Sequence, residues 1–295
     1  MAHNHPAPAD LGPAFRWAVG LNTAYVLLEA TAGFVTGSLA LLADAAHNLT
    51  DVAGLLIAWG AAVLAKRAGT ASYTFGYGRA TILAAMFNAI AIMIGVVLVI
   101  WQSVQRFQTP VEVPGLTILL VALVGIAVNT GSALLFMRSQ RDDLNIKGAF
   151  LHMTADAVVS GAVVLAAAGI MYTGWQWLDP AVAIAVSVLI AVTAWGLMRD
   201  ALRLGLDGVP FSIDRQAVAT YIGDQAGVSN VHDLHIWALS TTRTALAAHL
   251  VWDGADADGF IDHLTDALQH DFGIAHVTLQ LETTPCARAG QCLAT

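Results

Sequence analysis

The chain has 295 residues, a net charge of −8, 57% apolar residues and only 12% charged ones, with a mean hydropathy of +0.66. A soluble globular domain carries about twice that share of charge, so the composition excludes an ordinary soluble protein of this length and points to the membrane. No basic patch of the kind nucleic acid requires is visible, and the two cysteines, Cys286 and Cys292, are too few for a disulfide framework.

Residues 1–13 read as a flexible tail; MAHNHPAPAD has no apolar core of a signal peptide, so none is expected. Six apolar runs follow, at 14–36, 39–65, 80–105, 113–138, 147–173 and 178–199. Each is long enough for the roughly 20 residues that cross a bilayer, which predicts a six-helix transmembrane domain over 14–203. Arg16, Lys66, Arg67, Arg79, Arg138, Arg141, Lys147, Arg199 and Arg203 fall on one side and Arg106 alone on the other. The positive-inside rule places that side, and both termini, in the cytoplasm, giving a multi-pass protein of the inner membrane.

Beyond about residue 200, charge becomes frequent. Residues 213–225 and 257–271 have helical apolar spacing, while HDLHIWAL, TALAAHLVW and HVTLQLE alternate as strands do. The expected order is α-β-β-α-β, a cytoplasmic α+β domain over 204–285, with a Cys-containing tail over 286–295. The fold class is thus an α-helical membrane protein with an appended α+β domain.

The second run contains LLADAAHNLTDVAGLL and the fifth GAFLHMTADAVVSG. Residues four apart share a helix face, so His47 stacks with Asp51 and His152 with Asp156. Ionisable groups within a membrane are costly and usually mark function. Together the two pairs offer two imidazole nitrogens and two carboxylate oxygens, a set suited to tetrahedral Zn²⁺ and also to Co²⁺ or Cd²⁺. Spacing accounts for each pair; it does not join them. The alternative is that the four groups hydrogen-bond one another to hold the bundle. Asp44, three residues before His47, is read as a partner that supports a ligand, with direct ligation and proton carriage as the other options. Glu29 in the first run serves either as a packing hydrogen bond or as a gate or proton relay.

SLALLADAAHNLTD, YTFGYGRATILAAMFNA, NIKGAFLHMTADAVVS, DPAVAIAVS, VHDLHIWAL and AHVTLQLE, in that order, resemble signatures of the cation diffusion facilitators, and most resemble the bacterial zinc/cobalt/cadmium-resistance exporters. The resemblance spans nearly the whole chain. It implies a homodimer with a metallochaperone-like cytoplasmic domain, one metal site shared by His47, Asp51, His152 and Asp156, and metal export coupled to inward proton flow. His232, His249 and Glu282 match positions that bind metal in relatives, so zinc is expected as regulator as well as cargo, with no organic cofactor. Cys286 is a candidate additional ligand, since thiolates are good zinc donors. Arg79 and Asp207 match a family salt bridge between the membrane and cytoplasmic parts.

The chain departs from the family pattern in two places. Thr70, Tyr73 and Tyr77 stand in TASYTFGYG where some relatives carry a second metal site, and that site is expected to be absent. RSQRDDLN replaces a long His-rich loop; His3 and His5 are read as part of the N-terminal tail. His235, His263 and His270 are read as satisfied polar residues. Gln280 stands where some relatives place a histidine ligand. A membrane metal sensor and a metal-dependent membrane hydrolase are the competing classes. The hydrolase would need an open coordination position and a separate base, and no His-Glu-x-x-His motif is present.

Overall fold

The computed structural model describes residues 13–109, 111–136 and 144–284; the side chains of 13–19, 50–56, 58, 59, 133, 135, 136 and 144–155 lie outside the described residues. Six helices come first: α1 (Pro13–Thr36), α2 (Leu39–Ala65), α3 (Ala80–Gln108), α4 (Gly115–Phe136), α5 (Leu144–Thr173) and α6 (Leu178–Gly205). Then follow α7 (Arg215–Gly223), β1 (Val228–Ala238), β2 (Thr244–Trp252), α8 (Ala257–Phe272) and β3 (Ile274–Glu282). Among the described residues, α3 to α6 contain four stretches long and apolar enough to cross a membrane. The chain forms two compact units, one from α1 through Leu56 and Asn88–Trp195, the other from Ile57–Phe87 and Gly196 onward.

The first unit is an inside-out bundle. Phe34, Leu165, Trp101, Val192 and Trp195 are exposed, as large apolar residues are where lipid replaces water. Small and medium residues fill the interior. One core cluster joins Tyr25, Leu41, Ile118, Ala122, Val163, Ala167 and Ile170; another joins Leu39, Ala43, Val96, Val159, Ala183, Val186 and Ile190. Helices α2 and α5 contribute buried residues to both clusters.

The first turn of a helix leaves backbone N–H groups without intrahelical partners. In α2 these are met by another helix. Asp179, 1% exposed at the start of α6, accepts hydrogen bonds from Leu39 N at 2.8 Å, Ala40 N at 3.2 Å and the Ser38 hydroxyl. Ser38 Oγ in turn accepts from Leu41 N at 3.2 Å. The tight α1–α2 connection is turned by Gly37 at φ +69°, a left-handed conformation natural to glycine, and the Gly37 carbonyl accepts from Arg106 Nη1 at 2.9 Å.

In the second unit the strands form one sheet of order β1-β2-β3, with β1 antiparallel and β3 parallel to β2. Val218, Ile222, Leu264 and Leu268 of the helices pack on Leu234, Ile236, Leu246, Ala248, Leu250 and Ile274 of the sheet. Asp214 caps α7, accepting from Gln216 N and Ala217 N, and Gly273 at φ +68° ends α8.

Strict alternation would put His232 and Leu234 on the same face of β1. The register shifts between His232 and His235, and Asp233 sits at φ +52°. This bulge inserts one residue and reverses the alternation. Leu234 and Ile236 face the helices while His232 pairs across the strands with His249, which pairs with Gln280.

Asp179→Ala should lower the thermal unfolding midpoint of the detergent-solubilised protein clearly, because bonds to a charged group contribute about 1.5–3 kcal/mol and the α2 donors are then buried unpaired. At the bulge, Asp233→Val forces a β-branched residue into the left-handed region at a cost of roughly 1–2 kcal/mol, whereas Asp233→Gly keeps the backbone. The valine variant is expected to show the larger loss of midpoint in the same measurement.

Candidate metal sites

In the bundle, α2 and α5 bring His47 and Asp156 together. His47 Nε2 lies 3.3 Å from Asp156 Oδ1, with side chains 18% and 3% exposed. A zinc tetrahedron with bonds near 2.0 Å has donor atoms about 3.3 Å apart, so the pair has the spacing of two ligands on one ion. The contact also joins the two His-x-x-x-Asp segments across helices, which spacing along one chain cannot do. Asp51 and His152 lie on the helical backbone of α2 and α5, and their side chains lie outside the described residues.

Asp44 is fully buried, and its Oδ2 accepts from the Ser160 hydroxyl of α5 at 3.2 Å. Glu29 is also fully buried. It accepts from the Tyr25 hydroxyl at 2.6 Å and from the Asn48 amide at 3.2 Å, so both carboxyl oxygens are held. Asn22 donates to Ser132 Oγ at 3.0 Å, tying α1 to α4.

On the sheet face turned away from its helices, His232, His249 and Glu282 converge, with one donor atom of each within 4.8 Å of the others. Glu282 bridges the two rings: Oε2 is 3.2 Å from His232 Nε2, and Oε1 is 3.1 Å from His249 Nδ1. Asn230 Oδ1 lies 3.0 Å from His232 Nδ1, an arrangement that orients a ligand ring. Gln280 completes the cross-strand row, but its amide donates to Glu282 Oε1 at 2.7 Å, so it steadies the carboxylate. Two imidazoles and a carboxylate at these separations suit zinc, which takes N and O donors.

Asp233 was not singled out by its sequence context. The bulge brings its Oδ2 to 3.7 Å from His249 Nε2 and its Oδ1 to 2.9 Å from His235 Nε2. Asp179 and Ser160 were likewise not legible as site residues. An acidic residue before Pro180 reads as a helix start, and a serine in an apolar helix as a packing contact. Cys286, Cys292, His3 and His5 lie outside the described residues. His270 lies 2.9 Å from Asp271 on the surface.

Arg79 and Asp207 form a hydrogen-bonded ion pair with both side chains half exposed. Nearby, the aromatic segment before α3 packs on the sheet end of the same unit. Gly78 runs so close to the Leu239 carbonyl that a Cβ would stand 2.5 Å from its oxygen. Thr241 N donates to Thr81 Oγ1 at 3.0 Å. The Tyr73 and Tyr77 rings contact each other at 5.0 Å, and Thr70 closes a turn by accepting from Tyr73 N.

Two family profiles match the chain: the cation efflux transmembrane domain over residues 16–204 and the cation efflux protein cytoplasmic domain over residues 210–284. The chain is 35% identical over 289 residues to the metal cation efflux system protein CzcD of Cupriavidus metallidurans, covering 97% of this chain and 92% of that protein. It is 36% identical over 295 residues to the zinc transporter ZitB of Escherichia coli, covering 97% and 94%. It is 34% identical over 289 residues to the cadmium, cobalt and zinc/H(+)-K(+) antiporter of Bacillus subtilis, covering 96% and 92%. With the transmembrane profile covering well over half of the chain and relatives matched almost end to end, the chain belongs to the cation efflux family.

Proposed function

We propose that the chain is a metal/proton antiporter of the inner membrane that exports Zn²⁺, and also Cd²⁺ and Co²⁺, by alternating access. The observation that carries this reading is the 3.3 Å approach of His47 and Asp156 between two apolar helices. The names of its relatives, a zinc transporter and a cadmium, cobalt and zinc antiporter, support the choice of ions. In this reading α1 to α6 all cross the bilayer within a membrane domain over 14–203. The cytoplasmic domain covers 204–285, flanked by tails at 1–13 and 286–295, with both termini in the cytoplasm. The match to a cytoplasmic cation efflux domain over 210–284 supports a homodimer.

Metal ions coordinate only the deprotonated forms of their ligands. Zn²⁺ arriving from the cytoplasm therefore displaces protons from the His47, Asp51, His152 and Asp156 set. Histidine titrates in the physiological range, so protons arriving from the opposite side compete effectively for His47 and His152. Once the helix groups rock outward around this midplane site, that competition releases the ion. Asp44, held by Ser160, supports α2 beside the ligands.

Zinc at His232, His249 and Glu282, with Cys286 as a further donor, acts as a regulator. It biases the carrier towards whichever state binds it better. The exposed Arg79–Asp207 pair adds little stability by itself, about 0–1 kcal/mol, and its role is that of a pivot between the membrane and cytoplasmic parts.

In proteoliposomes the wild type should take up Zn²⁺ while the lumen turns alkaline, and Asp156→Asn should abolish both signals. Unchanged flux in that variant overturns the reading. For the cytoplasmic site, Glu282→Gln should weaken the zinc affinity measured by calorimetry at least about tenfold, the lower end for losing even a supporting contact to a ligand. Wild-type affinity there should also fall as the solution is acidified, because metal binds only the deprotonated forms of its ligands.

A further inference from the structure

Where α6 ends, a small surface combines positive charge with exposed apolar side chains. From Pro180 to Met198 the helix has no charged residue, and Leu178–Gly205 qualifies by length and composition as a segment that crosses a membrane. Arg199 is the first cation after the uncharged stretch and Arg203 stands four residues later, so the two share one helix face. Both guanidinium groups lie over a single ring. The Arg203 guanidinium carbon is 4.0 Å from the centroid of Phe211, and that of Arg199 is 5.3 Å from it.

The local backbone holds this arrangement. Past Gly205 the chain reverses through Asp207 at φ +59°, and Gly208 N donates to the Arg203 carbonyl at 2.8 Å. A Cβ on Gly208 would stand 2.7 Å from Arg203 Cγ, so the missing side chain lets the returning segment lie along the Arg203 stem. That return delivers Phe211 to the guanidinium.

Two features of this surface are unfavourable in water. Like charges four apart on a helix repel, and the neighbouring acids do not cancel them. Asp207 is engaged by Arg79, Asp200 accepts from Arg199 at 3.2 Å, and among the described residues no carboxylate pairs with Arg203. Beside these cations Leu206 is 81% exposed, and Leu202 and Phe211 are exposed as well. Apolar surface next to uncancelled positive charge, at the end of a membrane-crossing helix, matches the boundary between acyl chains and acidic headgroups.

We infer that Arg199, Arg203 and Phe211 form a binding site for the headgroup of an acidic phospholipid, with Leu202 and Leu206 set against its acyl chains. A guanidinium lying over a ring keeps its N–H edge free, and that edge matches two phosphate oxygens. A second copy of the chain is a poorer occupant, because a two-fold contact sets a patch against itself and would oppose the same guanidinium groups. The inference rests on α6 crossing the bilayer and not on how metal and protons are exchanged, so its failure leaves the antiport reading to its own test at Asp156.

The test titrates the full-length purified protein in neutral detergent with phosphatidylglycerol and, separately, with phosphatidylethanolamine, counting bound lipid by native mass spectrometry. The wild type should prefer the acidic lipid. Arg203→Gln and Arg199→Gln should each weaken that binding roughly fivefold, the share of one cation near a membrane surface. Lys66→Gln, which removes an exposed cation just past the end of α2, should leave it unchanged. Equal binding of the two lipids, or an equal loss in Lys66→Gln, means diffuse charge and overturns the inference. Displacement of the lipid by inorganic phosphate at the same concentration means a site for any phosphate and overturns it too. Cations near a helix C-terminus also interact favourably with its dipole. If that is their whole role, Arg203→Gln lowers the thermal unfolding midpoint and keeps the wild-type lipid preference, which is equally fatal. Should Arg203→Gln fail to fold, Arg199→Gln and the phosphate competition on the wild type decide.

Discussion

A polar group inside an apolar bundle has no water to turn to, so each one must find its partner in another part of the protein. This constraint organises the first unit. Asp179 reaches from the start of α6 to the N-terminus of α2, Ser160 reaches from α5 to Asp44, and Asn48 reaches from α2 to Glu29. The apolar clusters hold the helices together without specifying their rotation, because small aliphatic surfaces pack in many ways. The hydrogen bonds specify it. They present His47 to Asp156, and the proposed metal site depends on that rotation.

The two candidate sites use similar donors in different settings. His47 and Asp156 sit between helices, with Asp156 almost wholly enclosed. An ion held there leaves only when the surrounding helices rearrange, which is what a carrier requires. His232, His249 and Glu282 lie on the sheet face turned away from the helices with side chains 13–23% exposed, and His232 Nε2 and Glu282 Oε2 are enclosed. Donor spacings of 3.1–3.3 Å are common to both, so coordination chemistry alone does not separate their roles; the setting, between apolar helices or on a sheet, does.

The sheet shows how one irregular residue serves two demands. A three-stranded sheet with helices on one face needs apolar residues on that face throughout. The site needs His232 on the other. The bulge at Asp233 satisfies both, and the same residue then supplies a carboxylate to His235 and faces His249. The close approach of Gly78 to Leu239 and the Arg79–Asp207 pair belong to this same unit, so the segment between α2 and α3 is packed with the sheet.

Hydropathy and charge by themselves determined the membrane class, the positions of the long helices and the α-β-β-α-β order of the C-terminal part, because these depend on periodicities of 3.6 and 2 that are local to each segment. The expected alignment of His47 with Asp51 and of His152 with Asp156 on one helix face rests on the same kind of local spacing. Only the tertiary structure decided which helices meet. It set His47 against Asp156, gave the α2 N-terminus to Asp179, and tied Asn48 to Glu29. None of these contacts has a signature in residue spacing, since the partners lie far apart along the chain, 19 residues for Asn48 and Glu29 and 140 for Leu39 and Asp179. The bulge at Asp233 was hidden for a different reason. An alternating pattern read strictly would place His232 on the apolar face, and a one-residue shift in strand pairing, invisible in composition, moves it to the face where the paired His-x-x-x-Asp chemistry of the bundle finds its counterpart.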